Sequence, residues 1–415
     1  MALPAKVPYN GAPMEQQVTF DGLGIAPQIL GVIDRLKFKT PTPIQAKAIP
    51  SGIEGKDMVG IAQTGTGKTL AFAIPMVQRL SQRKGKGLVL VPTRELAQQV
   101  DETYRKIGPP FGIQSVVVIG GASMVEQIRA LRRNPGVIIA TPGRLIDHME
   151  QRTVMLSDTL ILVLDEADRM LDMGFYPQIN RIIHSVPRER QTMLFSATMP
   201  QGVASLAAAY MKLPVRIEIA PSGTLVEKLT QELFIVKREN KNALLRKVLD
   251  QYRGSVLIFT RTKIGAWKRA RDIREMGHGV AEIHSDLTLG KRREALQGFK
   301  SGKYRVLVAT DIAARGIDVT GIELVLNYDI PEDAENYVHR IGRTARTGHK
   351  GHAISFATPD QKTEVAAIER LIRAAIPISE HPEIPLEKFL APQRYVFAPR
   401  RGRLGRRPQR RRFGF

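Results

Sequence analysis

The chain alternates strand-like apolar runs with helix-like segments, and this alternation occurs twice along its length. Each run is rich in Val, Ile and Leu and does not alternate with polar residues, which is typical of strands covered on both faces. The two series of runs occupy residues 57–198 and 232–358. Alternating strands and helices predict parallel sheets flanked by helices, so we expect two α/β domains, each built on its own sheet.

A short segment rich in turn residues separates the two series. Residues 220–228 read APSGTLVEK, and the Pro, Ser and Gly in this segment favour a linker. We therefore predict an N-terminal extension over 1–17, a first domain over 18–219, a second domain over 229–384 and a tail over 385–415. Two domains joined by a short linker leave a cleft between them in which a ligand can bind.

The charge of the chain indicates a polyanionic partner. Lys and Arg number 62 against 40 Asp and Glu, which gives a formal net charge of +22. Residues 394–415 contain nine arginines and no acid, so +13 remains on residues 1–393. We expect the tail to be disordered until it meets a partner. It is interpreted either as a salt-dependent tether for a polyanionic partner or as a solubilising segment, and its charge favours the first.

The residue types that are missing exclude several classes of protein. There is no Cys, which excludes disulfides, Cys-ligated zinc and thiol catalysis and predicts a reducing, cytoplasmic location. No apolar run is long enough for a transmembrane helix, and the first residues do not have the pattern of a signal peptide. We therefore expect no membrane partner.

Residues 62–69, AQTGTGKT, lie between a predicted strand and a predicted helix, the context of a phosphate-binding loop. Glycines at 65 and 67 let backbone N–H groups approach phosphate oxygens, Lys68 reaches the β- and γ-phosphates, and Thr69 is a magnesium ligand. The predicted nucleotide contacts of this loop are Ala62, Gln63, Thr64, Gly65, Thr66, Gly67, Lys68 and Thr69.

Residues 165–168, DEAD, directly follow an apolar strand. A carboxylate in this position can hold magnesium, which is the role predicted for Asp165, and Glu166 can polarise the attacking water. An acidic helix start is the alternative interpretation, because acids favour helix N-termini. Two adjacent acids at a buried strand end beside a phosphate loop favour the metal.

Residues 339–348, HRIGRTARTG, place arginines at 340, 343 and 346, which fall near one face if the segment is helical. A surface salt-bridge face is the alternative interpretation. A domain opposite a phosphate loop must supply positive charge to the γ-phosphate, and arginine suits that role.

With these motifs, the sequence resembles the DEAD-box RNA helicases of superfamily two and is similar to their bacterial RhlE-type members over about residues 18–380. The resemblance implies two RecA-like domains that hold ATP and Mg²⁺ between them and bind RNA across both. It further implies RNA-stimulated ATP hydrolysis coupled to local, non-processive unwinding of short duplexes, or to remodelling of RNA–protein complexes, with low sequence specificity. Ribosome assembly and RNA decay are both compatible roles, and the sequence names neither partners nor oligomeric state.

The resemblance also assigns roles to individual residues. TPTPIQ (40–45) matches the adenine motif, with Gln45 on the base edge and Phe20 stacking, although Lys37 stands where the family usually has Gly. The implied RNA contacts are Arg94, Gly121, Thr141, Arg144, Arg292 and Thr310, and the implied coupling residues are Ser196 and Thr198. In the second domain the implied catalytic or nucleotide-facing residues are Arg315, Asp318, His339, Arg343 and Arg346.

The segment HSDLTLGKRR (284–293) departs from the family at two positions: Ser285 replaces a Gly and Leu289 replaces a Gln. Leu289 cannot donate a hydrogen bond, which puts one RNA or interdomain contact in question. An RNA clamp or annealing scaffold without productive turnover therefore remains an alternative function. A DNA helicase or translocase is a second alternative, which the Gln45 motif and the DEAD tetrad disfavour. A metal-dependent hydrolase that uses no nucleotide is disfavoured by the phosphate loop.

Overall fold

The computed structural model describes residues 19–63, 65–219, 229–314, 322–344, 351–385 and 387–390, without the side chains of residues 312 and 314. The predicted N-terminal extension, the linker and nearly all of the tail lie outside the described residues. The same holds for four predicted site residues, Thr64, Arg315, Asp318 and Arg346.

The first half of the chain forms seven strands and nine helices among its described residues. The strands are β1 (Met58–Ile61), β2 (Lys86–Leu90), β3 (Ser115–Val118), β4 (Val137–Ala140), β5 (Thr159–Leu164), β6 (Gln191–Ser196) and β7 (Val215–Glu218). The helices are α1 (Pro27–Arg35), α2 (Pro43–Ile53), α3 (Lys68–Gln82), α4 (Arg94–Ile107), α5 (Met124–Leu131), α6 (Pro142–Glu150), α7 (Ala167–Asp172), α8 (Tyr176–Ser185) and α9 (Gln201–Tyr210). Short 3₁₀ helices cover Phe20–Leu23 and Pro109–Phe111.

The second half follows the same plan. Its strands are β8 (Leu229–Ile235), β9 (Val256–Thr260), β10 (Val280–Ile283), β11 (Val306–Thr310), β12 (Leu324–Asn327) and β13 (Gly351–Ala357). The described helices are α10 (Lys241–Gln251), α11 (Lys263–Glu275), α12 (Leu289–Lys300), α13 (Asp311–Ala314), α14 (Ala334–Ile341) and α15 (Lys362–Ile372), with a 3₁₀ turn at Arg238–Asn240.

Both sheets are parallel and share one strand order. The first runs β3-β4-β2-β5-β6-β1-β7 and the second β10-β11-β9-β12-β13-β8. Apart from β7, each strand of the first sheet therefore has a counterpart in the second. The expected pair of parallel-sheet α/β domains is confirmed, and in each domain the carboxyl ends of the strands form one edge, where α/β proteins bind ligands.

Apolar side chains on both faces of each sheet produce the predicted continuous runs. Helices α2, α3 and α4 cover one face of the first sheet, and α6, α7, α8 and α9 cover the other. In the second domain α10 and α11 share a core with one face, whereas α12 packs on the opposite face. Side-chain caps fix several helix starts at the strand ends, with Thr93, Thr262 and Thr288 each accepting a backbone N–H. Among the described residues, no helix is long and apolar enough to cross a bilayer.

One strand was not predicted. Strand β7 pairs with β1 at the edge of the first sheet, and its residues have no strand-like apolar pattern. Only Ile217 of its four residues is buried, so the strand lacks the continuous apolar pattern of the others. Pro214 directly precedes it, which suits an edge strand and also resembles a loop signal.

Candidate functional site

The predicted phosphate loop connects β1 to α3 with two glycines in the left-handed region. Gly65 has φ of 84° and Gly67 has φ of 90°, conformations that favour glycine over any other residue. Lys68 is 6% exposed, and its ammonium donates to the Ala62 carbonyl at 2.8 Å. The loop thus presents the start of a fifteen-residue helix and a buried cation to one point, which is the arrangement that binds phosphate.

The predicted adenine motif is tied directly to this loop. Gln45 donates its side-chain amide to the Gly67 carbonyl at 3.1 Å and accepts the Thr42 N–H at 3.0 Å. A Cβ at Gly67 would lie 2.3 Å from the Gln45 amide nitrogen, so this contact needs glycine. Phe20 lies in the core of the first domain with 4% of its surface exposed, so little of its ring is open to a base. Its stacking role stays a prediction.

Lys37 ends α1 in a conformation that suits glycine. It has φ of 59°, and the N–H groups of Lys37 and Phe38 donate to the carbonyls of Asp34 and Ile33, which is a Schellman motif. Any residue with a Cβ is strained there, so the family's usual Gly has a physical basis. We expect Lys37→Gly to raise the free energy of unfolding by about 1 kcal/mol. Urea denaturation measures this, and a lower stability than wild type would contradict the strain argument.

The two adjacent acids after β5 are buried at the mouth of the phosphate loop. Burial, opposed in part by Lys68, raises the pKa of Asp165 to about 7. Burial alone would raise the pKa of Glu166, but Arg169, Lys68 and Arg343 together hold it below its usual value. Glu166 is therefore ionised at neutral pH, as a group that polarises water must be.

Arg169 was not singled out from the sequence. Arg169 is 1% exposed, and its guanidinium donates to Oε2 of Glu166, the residue before α7, at 2.8 Å. Glu166 itself has φ of 53°, so its backbone is strained. Arg169 holds one oxygen of its carboxylate. The spacing of three was the available signal, because it places both side chains on one face of a helix.

Asp168 connects the acidic segment to the predicted coupling residues. One of its carboxylate oxygens accepts the Ala197 N–H, the Thr198 N–H and the Thr198 hydroxyl at 2.9–3.1 Å. Its own N–H donates to the Ser196 hydroxyl, which is fully buried. A movement at the nucleotide can therefore reach β6 through fixed hydrogen bonds, and Asp168 is a second residue that the sequence analysis did not assign.

The predicted RNA contacts of the first domain gather at the carboxyl ends of three neighbouring strands. Arg94 lies across Gly120 and Gly121, where a Cβ at Gly121 would be 2.2 Å from its guanidinium. Arg144 donates to the Ala122 carbonyl at 3.0 Å, and Thr141 begins α6 beside it. Burial lowers the pKa of Arg94, and repulsion from Arg292 is the second cause. Crowded cations on one edge favour a phosphate backbone.

The second domain brings His339 against the acidic segment of the first. Burial and repulsion from Arg169 lower the pKa of His339 to about 4, so its ring is neutral at pH 7. Arg343 is 3% exposed and close enough to depress the pKa of Glu166. Helix α14 ends at Ile341, so Arg343 follows the helix, and Arg340 instead turns inward to bind Asp311 at 2.6 Å. The single helical face considered for these arginines is thus not formed.

A buried ion pair also crosses between the domains. Arg292 Nε lies 2.8 Å from Glu95 Oε1, with 9% and 7% of the side chains exposed. The two groups are not aligned as a hydrogen bond, so their attraction is mainly electrostatic. Arg292 therefore stabilises closure in this arrangement, and its RNA contact stays a prediction. Thr310 ends β11 with 9% of its surface exposed.

Leu289 lies one turn before Arg292 and packs against the apolar core of the first domain. Leu289, which stands where the family usually has Gln, therefore lacks a hydrogen-bond donor but adds an apolar contact across the domains. Ser285, the other departure, is exposed and donates to Asp286 at 3.3 Å.

Comparison with known proteins places these motifs in one family. Residues 42–206 match the DEAD/DEAH box helicase model, and residues 240–348 match the helicase conserved C-terminal domain. The ATP-dependent rRNA helicase RRP3 of Debaryomyces hansenii is 42% identical over 368 residues, spanning 88% of this chain and 77% of that protein.

Two solved structures share the arrangement of both domains. S. cerevisiae Dbp5 bound to RNA and ADP BeF3 has a TM-score of 0.77 at 32% identity, over 87% of this chain and 95% of that one. Mss116p lacking its NTE and C-tail, bound to ssRNA and AMP-PNP, has a TM-score of 0.80 at 29% identity, over 89% of this chain and 81% of that one.

Proposed function

The chain belongs to the DEAD-box family of ATP-dependent RNA helicases, and from that membership we propose how its residues divide the reaction. The protein hydrolyses ATP and remodels RNA. The first domain holds the nucleotide through the phosphate loop and Gln45. The second domain completes the site with His339 and Arg343, and with Arg315, Asp318 and Arg346 from outside the described residues.

Glu166 is the group that takes the proton from the attacking water. Its ionised state, its contact with Arg169 and its place beside the phosphate loop support this role. Lys68 and Arg343 stabilise the charge that develops on the transferred phosphoryl group. Neutral His339 lies between the acidic segment of the first domain and Arg343 of the second, and it positions these groups when the domains close.

The residues fit a magnesium ion beside the phosphates. Burial raises the pKa of the Asp165 carboxylate, so a cation beside it would stabilise its charged form. Thr69 follows Lys68 at the start of α3. Within the described residues, no group of three or more His, Asp or Glu side chains is arranged to hold a metal ion by itself. Mg²⁺ would neutralise charge on the phosphates when bound.

RNA lies across the carboxyl edges of both sheets in this proposal. Arg94, Thr141 and Arg144 contact the backbone from the first domain, and Thr310 contacts it from the second. Backbone contacts carry no sequence information, so specificity is low. The name of the relative RRP3 suggests ribosomal RNA as a substrate class. The RhlE-type subtype and the cytoplasmic location stay predictions.

The observation that carries the proposal is the buried Glu95–Arg292 contact between the domains. This contact can form only when the domains are closed, so ATP and RNA each favour binding of the other if both favour the closed form. The experiment is RNA affinity, by fluorescence anisotropy, with a non-hydrolysable ATP analogue, with ADP and without nucleotide. We expect binding at least tenfold tighter with the ATP analogue, a coupling of about 1.4 kcal/mol. Equal affinity under all three conditions would contradict it.

Closure is expected to weaken in mild acid because of His339. Its pKa of about 4 in the closed form lies below the ordinary value of about 6.5 that it regains when the domains separate. The open form thus binds more protons between these pH values. The equilibrium constant for closure therefore falls by up to about tenfold for each pH unit below 6.5. ATP-dependent RNA affinity between pH 7.5 and 5.5 measures this, with His339→Asn as the variant whose profile should be flatter. Parallel profiles would exclude His339 as the cause.

A further inference from the structure

The outer face of α11 carries an aromatic side chain surrounded by cations. Trp267, the only Trp in the sequence, is 48% exposed, and Ile264 one turn earlier is 60% exposed. Because the two residues are three apart on one helix, their exposed apolar surfaces adjoin on one face. The other exposed residues of this face are Lys263, Lys268, Arg271, Arg274 and Glu275.

The composition of this face fits RNA better than protein. Four cations share this face with the indole, against three acids that pair with them: Asp272 and Glu275 with Arg271, and Asp286 with Lys263. The Arg271 guanidinium lies 5.3 Å from the Trp267 ring centroid, which leaves the aromatic ring beside a charge that can meet phosphate. Bases stack on aromatic rings while cations hold the flanking backbone, which is how single strands are bound without sequence preference.

The face adjoins the edge of the second domain that the proposed RNA path follows. Helix α11 starts directly after β9, the strand next to β11 and Thr310. Lys263 pairs with Asp286 at 2.7 Å, which ties the helix start to the loop before α12. Trp267 is four residues further, about 6 Å along the helix axis. A nucleotide leaving the strand ends therefore reaches the indole without crossing the core.

We propose that the outer face of α11 is an additional RNA contact that holds an unpaired nucleotide beyond the segment bound between the domains. Trp267 stacks on its base, and Lys268 and Arg271 hold the adjacent phosphates. This contact rests on the RNA helicase function of the chain and extends it. It lengthens the RNA footprint on the second domain and keeps the released strand attached while the duplex opens.

Trp267 is its own reporter, because no other Trp emits. Wild-type protein with a non-hydrolysable ATP analogue is titrated with oligouridylates of about 6 and about 16 nucleotides, the range of site sizes of single-strand binders. The proposal expects the longer RNA to quench the emission and the shorter RNA to leave it nearly unchanged. Unchanged emission with the longer RNA, while anisotropy shows it bound, would overturn the proposal.

Affinity measurements on variants provide a second test. Trp267→Ala is expected to weaken binding of the longer RNA about tenfold and to leave binding of the shorter RNA unchanged. Trp267→Phe retains most of the affinity because it retains a ring. Leu371→Ala, which shortens a 44% exposed apolar side chain on α15 of the same domain, is the matched control and should change neither affinity.

The charged residues make a further distinction. Lys268→Gln should reduce the slope of log affinity against log salt by about one for the longer RNA alone. Equal affinities of Trp267→Ala and wild type for the longer RNA would overturn the proposal and leave the helicase function intact. Failure of wild-type protein to bind even the shorter RNA would overturn both.

Discussion

Replacing Glu166 with Gln is expected to lower the turnover number of RNA-stimulated ATP hydrolysis by about 10²- to 10⁴-fold. Gln has the same shape but accepts no proton, so the attacking water loses its base. ATP-dependent RNA binding should persist, because Lys68 and the Glu95–Arg292 contact between the domains are unchanged. Steady-state phosphate release gives the rate, and anisotropy with labelled RNA reports the binding.

The control for this variant is Glu189→Gln. Glu189 pairs with Lys212 among the described residues, and 89% of its side chain is exposed, so its loss should leave turnover unchanged. Retained RNA binding by Glu166→Gln shows that the variant is folded even though Arg169 has lost a charged partner. Turnover within threefold of wild type would contradict the role of Glu166 and make another carboxylate the base.

Removing one partner of the Glu95–Arg292 pair is expected to weaken ATP-dependent RNA binding by about 10²- to 10³-fold. The pair is buried at the domain interface, and an unpaired charge left there costs about 3–5 kcal/mol. Because only the closed form buries these groups, the penalty falls on closure and not on folding of either domain. Glu95→Gln and Arg292→Met are the two single variants.

A double-mutant cycle separates this explanation from damage at one site. The variant with both substitutions has no unpaired charge. Its loss of RNA-binding free energy should therefore be smaller than the sum of the losses of the two single variants. The exposed pair Arg181–Glu150, in which both side chains are more than half exposed, is the control, and Glu150→Gln should change affinity less than fivefold. Additive effects of Glu95→Gln and Arg292→Met would show that the pair does not couple the domains.

Much of the fold could be predicted because buried parallel strands leave a continuous apolar pattern. Twelve predicted runs correspond to strands β1 to β6 and β8 to β13. Strand β7 was missed because an edge strand needs apolar residues on one face only, and three of its four residues remain accessible to solvent. Its pairing depends on β1, which is more than 150 residues earlier in the chain and leaves no local signal.

The site was predicted where its chemistry is local in sequence. The phosphate loop and the acids after β5 each have a fixed spacing that their ligand requires. Contacts that form only in three dimensions could not be predicted, and these include the Asp168–Thr198 hydrogen bonds and the Glu95–Arg292 pair. Leu289 shows the same limit, because the sequence indicated a lost hydrogen bond and not its packing on the first domain.

Steady-state ATP hydrolysis with and without single-stranded RNA, with DNA of the same sequence as the control, tests the central claim most directly. We expect RNA to stimulate hydrolysis strongly and DNA to do so weakly, because RNA offers 2′-hydroxyl contacts. Equal stimulation by DNA would contradict the RNA-specific account and indicate a general nucleic-acid translocase. Tight ATP-dependent RNA binding without turnover would contradict it differently, by showing a clamp that holds RNA and does not hydrolyse ATP.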